Sequence, residues 1–428
     1  MWPSVLLCIS VASSMVAAEP PPTTPWSAFA PDRAALIYAA PAASGAAGMF
    51  GHVLILVHGK GGDIAVAWAA NIGDDSIPAL AWKGLFGGYT GGCETSPWDR
   101  VRRDYQRVER RTLWRYDLQL TDAEFHHLLD AIASEIGKRH AYRLLNDNCA
   151  SGIAGLLDAA RPAAQVRASL GRLATPLDVV RAAHAAKLIG VGVALDRDGQ
   201  PAEAPTHDPI EDHRCGRIAL SAGRDDHQSY VGLSVRPAWH AALDPAQTIP
   251  LGDALTVLSA EARWYEHDRV HLQQVDLLTV ESLSQRQVGL AGVAWSAHLG
   301  SERTYTHDHG LTQHGVLAVG MGGSWLASPN ALIYALALAD ARLVDDVAQP
   351  AAGLGVEAGL RYRMGPLTAE TQIRSLAWGG SLHGGETRAD VGLGLRLTSD
   401  LSIDISWGWM RAWGHEATQA SFGLSAFF

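Results

Sequence analysis

The C-terminal half of the chain, from Cys215 to Phe428, alternates between apolar and polar positions almost without interruption. In one such run the apolar residues are Leu354, Val356, Ala358, Leu360 and Tyr362. A period of two places every second side chain on the same face of a β-strand. The runs reach about 10 residues, the length with which a tilted strand crosses the hydrocarbon core of a membrane. The pattern therefore predicts an antiparallel transmembrane β-barrel with an apolar outside and a polar lumen.

The number of alternating runs predicts about twelve strands, with ten as the nearest alternative because single-chain bacterial barrels have even strand numbers. The runs start near Arg217, Tyr230, Leu255, Val270, Val288, Val316, Leu332, Leu354, Leu367, Ala389, Leu401 and Thr418. The final residues, Ser421-Phe-Gly-Leu-Ser-Ala-Phe-Phe428, resemble the C-terminal assembly signal of bacterial outer-membrane barrels. We therefore expect a barrel over residues 206–428, with outer-membrane lipid and the barrel-assembly machinery as partners. Whether its lumen conducts stays open, because side chains can fill a barrel of this size.

Residues 45–205 mix strand and helix patterns, which predicts an α+β domain of ordinary size. Strands over 52–58 and 63–71 most simply form a hairpin that brings His52 and Asn71 near each other. Further helices and strands are predicted over 98–109, 113–120, 122–137, 149–160 and 175–187. The helix over 122–137 has the clearest start, because Thr121 and Glu124 have the spacing of a capping box.

The first 18 residues have the pattern of a secretory signal peptide. An apolar stretch from Val5 to Val16 is followed by Ala17 and Ala18, and these small residues predict cleavage after Ala18. No Lys or Arg precedes the apolar stretch, so an uncleaved anchor is the alternative. Residues 19–44 are rich in Pro, Ala and Thr and predict a linker or irregular lead-in segment. Export would place the barrel in the outer membrane and the α+β domain in the periplasm.

Three cysteines follow the signal peptide: Cys93, Cys149 and Cys215. An odd number leaves at least one thiol unpaired in an oxidising compartment. A Cys93–Cys215 disulfide is the only pairing that spares Cys149, and it stays open because the sequence does not fix the distance between the two.

Charge and histidine spacing argue against several functions. The net charge of -10 comes from interspersed acids and bases, with no basic patch of the kind that nucleic acids bind. His126 and His127 lack the His-Glu-x-x-His spacing of a zinc site. His307, His309 and His314 are expected in a solvated loop or strand end, with a metal site as the alternative. We predict no nucleic-acid partner, no metal and no cofactor.

Cys149 is the residue with the strongest chemical context. The polar run Asn146-Asp-Asn148 precedes it and an apolar helical period follows, so the thiol falls in the first turn of a helix. There the helix dipole and free N–H groups favour a thiolate and could hold an oxyanion. A nucleophilic thiol also needs a base and a group that orients the base, for which His52 and Asn71 are the candidates. The alternatives are a buried structural cysteine and a packed strand histidine.

Several ordered motifs carry a family resemblance: Phe50-Gly51-His52, Trp68-Ala-Ala-Asn71, Lys83-Gly-Leu-Phe-Gly-Gly88, Tyr105 with Glu109-Arg-Arg-Thr-Leu-Trp114, and Tyr142-Arg-Leu-Leu-Asn-Asp-Asn148-Cys149. Together they span about Gly45 to Val180. They resemble the DUF4105 family, also called the Lnb N-terminal periplasmic domain, which is grouped with circularly permuted papain-like thiol enzymes of the NlpC/P60 type.

This resemblance implies that Cys149 is the nucleophile and His52 the base, and it suggests Asn71 as the orienting residue. It also supports the barrel, because bacterial members often carry one at the C-terminus. Two features differ from the family. The extra N-terminal helical segment of longer relatives is absent, and Ile72-Gly-Asp-Asp75 stands where small apolar residues are expected.

We therefore expect a cysteine hydrolase or acyltransferase, anchored in the outer membrane, that acts on an amide or ester of the cell envelope. Its substrate would be a peptidoglycan peptide, a lipoprotein or a lipid. The expected substrate-binding residues are Tyr142, Asn148, Arg110 and Arg111. The arginines could bind a carboxylate or phosphate, although solvated or ion-paired arginines and a core tyrosine are the alternatives.

A second hypothesis is a pore or secretion device with the N-terminal domain as plug or binding module. A third is an accessory that helps another exported protein mature.

Overall fold

The computed structural model describes residues 29–41, 51–71, 83–84, 87–109, 111–143, 146–171, 173–196, 207–226, 228–266, 270–283, 291–306, 310–344, 349–380 and 382–428. They form an N-terminal α+β domain and a closed antiparallel C-terminal β-barrel. The predicted α+β domain and the predicted antiparallel barrel are therefore confirmed. The predicted signal peptide lies outside the described residues.

A seven-stranded antiparallel sheet forms the centre of the N-terminal domain within the described residues. Its strands are β1 (Pro31–Ala39), β2 (His52–Gly59), β3 (Gly62–Ala70), β4 (Tyr89–Pro97), β5 (Leu113–Asp117), β6 (His140–Tyr142) and β7 (Val193–Leu195). They lie in the order β6-β4-β3-β2-β1-β5-β7. The hairpin predicted from the sequence is β2 and β3, which pair from Leu54–Ala67 to Gly59–Gly62.

Helices cover both faces of this sheet. They are α1 (Trp98–Arg103), which continues as a π-helical turn (Asp104–Val108), α2 (Asp122–Glu135), α3 (Cys149–Ala160), α4 (Val166–Ser169) and α5 (Pro176–Ala185). The buried residues of α2, α3 and α5 share one core with Val53 and Ile55 of β2. Trp98 of α1 packs on the opposite face, with Leu54. No helix in the described part of the chain is long and apolar enough to span a membrane.

Strand β1 corrects one expectation. Residues 19–44 were expected to form a linker or irregular lead-in, but Pro31–Ala39 lies inside the sheet between β2 and β5. Its residues from Ala34 onward are buried. Both faces of β1 are covered by helices, so its side chains form a continuous apolar run rather than an alternating one. Such a short run, next to Pro-rich sequence, does not distinguish a buried strand from a linker.

Twelve of the described strands close the barrel. They are β8 (Arg217–Asp225), β9 (Gln228–Arg236), β11 (Asp253–Tyr265), β12 (Val270–Ser282), β13 (Ala291–Thr306), β14 (Gly310–Ser328), β15 (Ala331–Val344), β16 (Gln349–Met364), β17 (Leu367–Gly380), β18 (Gly384–Arg396), β19 (Leu401–Ala412) and β20 (His415–Phe427). Strand β20 pairs with β8, and β9 pairs with β11. The short β10 (Ala238–His240) pairs beside β11. The predicted number of twelve strands is confirmed.

The alternation along the barrel strands separates a lipid-facing surface from a lumen. On β16, Leu354 is 70% exposed whereas Arg361 is 1% exposed. The inner charges pair across the lumen. Arg361 Nη2 lies 2.6 Å from Glu281 Oε2 of β12, although β12 and β16 are not neighbours. Arg388 of β18 similarly lies 3.2 Å from Glu302 of β13. These ion pairs fill the interior with charged side chains that neutralise each other.

The two ends of the barrel differ. At the near end, where β8 begins, residues 237–252 connect β9 to β11 and fold against the inner wall. There the Leu243 side chain packs over Gly392, a position with no room for a Cβ atom. Arg363 of β16 donates to the Ile249 carbonyl at 2.7 Å. At the far end only two to four residues separate successive strands. Transmembrane barrels usually have their longer connections on the extracellular side. In this barrel the longest connection, residues 237–252, lies at the near end instead.

Residues 207–216 join the two domains and bond to both. On the N-terminal side, Tyr116 Oη donates to Asp208 Oδ1 at 2.8 Å. Arg181 of α5 donates to the Asp212 carbonyl at 2.5 Å. On the barrel side, the Asp212 carboxylate accepts the backbone N–H groups of Gln247 and Thr248 at 2.7 and 3.0 Å. These bonds tie the α+β domain to the near end of the barrel.

The three described cysteines are free, so the Cys93–Cys215 disulfide does not form. Cys93 lies on β4, where it bridges to Ile136 after α2. Cys215 lies in the segment before β8 and packs in a separate cluster near Leu173. The sequence could not decide this, because the distance between the two thiols depends on how the domains pack.

Candidate functional site

Asn148 sets the start of α3 and thereby the position of the thiol. Its Oδ1 accepts the backbone N–H groups of Ala150 and Ser151 at 2.9 and 3.2 Å, which makes it the N-cap of the helix. Its Nδ2 donates to the Ala174 carbonyl at 2.7 Å. The side chain is buried, with the residue 4% exposed. These bonds show that Asn148 caps the helix that begins at Cys149, and its predicted role in substrate binding stays a prediction.

The Cys149 thiol sits where β2 and β3 separate. Their pairing ends at Leu54 and Ala67. The backbone N–H of the preceding Val53, the Ala150 N–H and the Tyr142 hydroxyl all lie near enough to Sγ to favour its thiolate form. His52 therefore immediately precedes the residue whose amide lies near the thiol. The fold brings three of the predicted site residues, Cys149, His52 and Tyr142, into one region.

Burial dominates the ionisation of the thiol. Cys149 is 6% exposed, and this desolvation raises the pKa of its thiol to about 11, although the three donors favour the thiolate. The sequence suggested that the helix N-terminus would lower this pKa. The dipole and the donors are present, but the loss of water around a charged sulfur outweighs them. The thiol is therefore protonated at neutral pH.

The imidazole of His52 is neutral at neutral pH, as a general base must be before it accepts a proton. It begins β2, pairs with Ala39 of β1 and is half-buried. Burial, together with the nearby positive charge of Arg111, lowers the pKa of its imidazole to about 3. Its ring lies 6.1 Å from the Tyr105 ring, centroid to centroid. A neutral imidazole has a free lone pair that can accept a proton. In the described part of the chain no hydrogen bond joins His52 to Cys149.

Arg111 lies near Tyr105 and His52 and is 6% exposed. Its Nε lies 2.6 Å from a Glu109 carboxylate oxygen. Its guanidinium carbon lies 5.0 Å from the centre of the Tyr105 ring. Its Nη1 has no hydrogen-bond partner among the described residues. Other described arginines, such as Arg181 and Arg342, also have a buried guanidinium nitrogen without a hydrogen-bond partner. What sets Arg111 apart is its position against Tyr105 and close enough to His52 to lower the pKa of that imidazole.

Two predicted site residues are not joined to the others. Arg110 lies outside the described residues. Asn71 is exposed just after β3, and its backbone N–H donates to the Thr90 carbonyl at 2.8 Å. In the described part of the chain no hydrogen bond links Asn71 to His52. Its orienting role stays a prediction.

Sequence reasoning gave no role to Tyr105, which stands between His52 and Arg111. It lies on the π-helical turn after α1, and such turns are rare and often occur at functional sites. The Val53 amide was missed as well, because a backbone donor leaves no mark in a sequence. Gly91 of β4 has a supporting role: a Cβ there would lie 2.6 Å from the Tyr142 ring, so glycine lets that ring approach. A Gly-rich strand was the only available sign.

One cluster of the described residues has the spacing of a metal site: His213, His240 and Asp244, at the near end of the barrel. The His213 and His240 nitrogens are 3.0 Å apart, so one imidazole donates to the other. The Asp244 oxygen that would bind a metal already accepts from Arg236 and from the Ala241 N–H. The arginine charge opposes a second cation at that oxygen. The cluster fits a hydrogen-bonded network better than a metal centre.

The fold and the site define an outer-membrane β-barrel protein with an N-terminal periplasmic domain. Residues 206–427 match the family model described as "Domain of unknown function (DUF7840)". That match spans more than half of the chain, so the protein belongs to this family. Residues 23–186 match the model of the Lnb N-terminal periplasmic domain. The part of the resemblance that names this domain is thereby confirmed, as is the predicted location of the two domains.

Solved outer-membrane proteins show a distant likeness to half of the chain. A loop-deletion mutant of OmpT from Vibrio cholerae is 8% identical over 50% of this chain and 97% of its own, with a TM-score of 0.28. The NanC porin is 11% identical over 49% of this chain and 99% of its own, with a TM-score of 0.31. The DcaP channel of Acinetobacter baumannii is 8% identical over 50% and 96%, with a TM-score of 0.25. No curated protein matches the chain. The barrel assignment therefore rests on this chain's own strand pairing.

Proposed function

We propose that the protein is a cysteine hydrolase or acyltransferase that works on the periplasmic side of the outer membrane. Its substrate is an amide or ester of the cell envelope: a peptidoglycan peptide, a lipoprotein or a lipid. A permuted papain-like arrangement of the N-terminal domain is part of this proposal. The observation that supports it best is the surroundings of Cys149. Its sulfur sits at a capped helix start, near the Val53 amide and the Tyr142 hydroxyl, and the neutral His52 directly precedes Val53.

The reaction follows from the positions of these groups. Cys149 Sγ attacks the carbonyl carbon while His52 accepts the thiol proton. The resulting oxyanion is stabilised by N–H groups at the start of α3 and by the Tyr142 hydroxyl. The tetrahedral intermediate collapses to a thioester, and the leaving amine or alcohol takes the proton from His52. Water or an acceptor group then cleaves the thioester, which distinguishes a hydrolase from an acyltransferase. Asn71 is the proposed orienting residue.

The resting pair is neutral rather than an ion pair. The thiol pKa is raised to about 11 and the imidazole pKa is lowered to about 3. Proton transfer therefore accompanies the attack on the carbonyl instead of preceding it. This keeps the thiol unreactive towards oxidants until substrate is bound, because the thiolate is the form that oxidants attack.

The barrel is proposed as an anchor. Its inner charges pair across the lumen, as Arg361 does with Glu281. Residues 237–252 pack inside its near end. These observations argue against the alternative of an open pore with the N-terminal domain as a plug.

Acyl transfer from p-nitrophenyl acetate tests the enzyme proposal. The full chain in detergent is mixed with this ester, and the acetylated residue is located by peptide mass spectrometry. We expect acetyl on Cys149 and none in Cys149→Ala. His52→Ala should slow acetylation by about 100-fold or more, the usual contribution of a general base. Cys93→Ala is the matched control and should behave as wild type. Equal labelling of Cys93 and Cys149, or indifference to His52, would contradict the proposal.

A further inference from the structure

The buried guanidinium of Arg111 narrows the substrate class, and this inference rests on the proposed thiol enzyme. Arg111 is charged and almost fully buried, with only Glu109 as its ion-pair partner among the described residues. The carboxylate of Glu109 approaches Nε, and Nη1 has no acceptor among the residues that the structure describes. Burying a charged donor without an acceptor is costly, so a position like this is one that a ligand can complete.

The sheet places Arg111 beside the reacting groups. The carbonyl of the next residue, Thr112, accepts the Ala40 N–H at 3.0 Å, and Ala39 pairs with His52. Arg111 and His52 therefore lie at the same end of strands that are separated only by β1. The Tyr105 ring lies between them, 5.0 Å from the guanidinium carbon and 6.1 Å from the imidazole centroid.

We propose that Arg111 binds a carboxylate of the acyl substrate, so that the enzyme prefers a scissile amide or ester flanked by a free carboxylate. The planar guanidinium presents its donors in a fork that matches the two oxygens of a carboxylate. Tyr105 stacks on the guanidinium and keeps it in one orientation. Among the three proposed substrate classes, this favours a peptide with free carboxylates over a neutral acyl lipid.

Two small alkylating reagents test this without knowledge of the substrate. Iodoacetate and iodoacetamide both transfer a CH2 group to Sγ with loss of iodide, but only iodoacetate brings a carboxylate to the site. The ratio of their rate constants at Cys149 is measured in the full chain in detergent. The ratio cancels effects on the thiol or on His52 that both reagents share. We expect the ratio of the iodoacetate rate constant to the iodoacetamide rate constant to be higher at Cys149 of the wild-type chain than at the cysteine of an unstructured peptide.

In Arg111→Gln this ratio should fall about tenfold or more, as expected for the loss of a charge-assisted hydrogen bond. Arg111→Lys keeps the charge without the fork and should retain part of the preference. Arg115→Gln is the matched control, because Arg115 stands on β5, the strand that follows Arg111, and pairs with Asp117 at 3.1 Å. Its ratio should equal that of wild type. An unchanged ratio in Arg111→Gln would overturn the inference.

A measurement on wild type covers the case in which Arg111→Gln does not fold. Sodium acetate should slow alkylation by iodoacetate more than sodium chloride at equal ionic strength, and sodium phosphate reports whether a phosphate competes as well. No difference between acetate and chloride overturns the carboxylate site, and so does stronger competition by phosphate. Neither outcome contradicts the proposed thiol enzyme, provided that the alkylation rate of Cys149 still depends on His52. A thiol inert to both reagents overturns the proposed function and this inference together.

Discussion

The N-terminal domain and the barrel both bury polar side chains, but these side chains have different partners. In the barrel, buried arginines lie next to carboxylates of distant strands, as Arg342 does with Glu302 and Glu386 at 3.0 and 3.2 Å. In the N-terminal domain, the residue near Cys149 is the neutral His52 rather than a member of an ion pair. Buried arginine nitrogens without a hydrogen-bond partner among the described residues occur in both regions, so they do not set the two apart.

This difference separates stability from chemistry. Charges that neutralise each other across the lumen leave little net charge there with which to bind a ligand or conduct ions. A thiol near a neutral imidazole can instead exchange a proton, which acyl transfer requires. The comparison therefore supports the proposal that the periplasmic domain carries the chemistry and that the barrel is the anchor. Four experiments test this contrast.

The first concerns conduction. In planar lipid bilayers the full chain should give no stable conductance steps, because ion pairs cross its lumen and residues 237–252 occupy its near end. A porin reconstituted in parallel serves as the positive control. A steady, voltage-independent conductance from the wild-type chain would contradict the proposed anchoring role of the barrel, because it would show that the inner charges do not fill the lumen.

The second removes one inner charge. Arg342→Ala removes one of the two arginines that Glu302 and Glu386 share, the other being Arg388. The loss of one partner of a buried pair typically costs about 3–5 kcal/mol, which is the upper limit here. Urea unfolding in detergent, followed by the electrophoretic shift of the folded barrel, should report this loss. Arg411→Ala, at an exposed position on β19, is the control and should unfold like wild type. Equal midpoints for both variants would mean that the inner ion pairs contribute little.

The third compares two helix caps in the N-terminal domain. Asn148→Ala should destabilise the domain by about 1–2 kcal/mol, because it removes the N-cap of α3 and leaves buried N–H groups unpaired. It should also change the alkylation rate of Cys149, whose position the cap fixes. Thr121→Ala removes the exposed cap of α2 and should destabilise without changing that rate. If Asn148→Ala and Thr121→Ala change the alkylation rate of Cys149 equally, the N-cap of α3 has no special role in the site.

The fourth follows the thiol pKa. Because burial raises it to about 11, the alkylation rate of wild-type Cys149 should keep rising with pH between 8 and 11. A free cysteine levels off above its ordinary pKa of about 8.5. Tyr142→Phe removes a donor to the thiolate, so the rate at pH 9 should fall roughly fivefold, the equivalent of about 1 kcal/mol. Tyr89→Phe, on the neighbouring β4 strand, is the control. A plateau near pH 8.5 would show that the thiol is not buried as described.

Local patterns were sufficient for much of the fold. The period of two along β16 identified a lipid-facing strand without knowledge of its neighbours, because pleating alone fixes that period. The helix from Cys149 to Ala160 was also predictable, since a polar cap followed by an apolar helical period is local information. The predicted capping box of Thr121 and Glu124 forms as expected. By contrast, β1 was missed because an apolar run beside prolines lacks a period.

The candidate site was predictable in its residue types and not in its electrostatics. Cys149, His52 and Tyr142 were selected from motifs and do lie together. The sign of the thiol pKa shift was wrong, because the sequence shows the helix N-terminus but not the burial that outweighs it. The Val53 amide and the open donor of Arg111 could not be predicted, since both depend on where β2, β3 and β5 end relative to each other.

Periods and spacings within short segments were enough to predict the two-part plan, the barrel with its strand number, and the cysteine at a helix start. The folded structure was needed to show that Cys93 and Cys215 stay apart, that residues 237–252 turn inward, and that Arg111 is buried against Tyr105. Burial and pairing depend on contacts between segments that are far apart in the chain. A local pattern carries no record of those contacts.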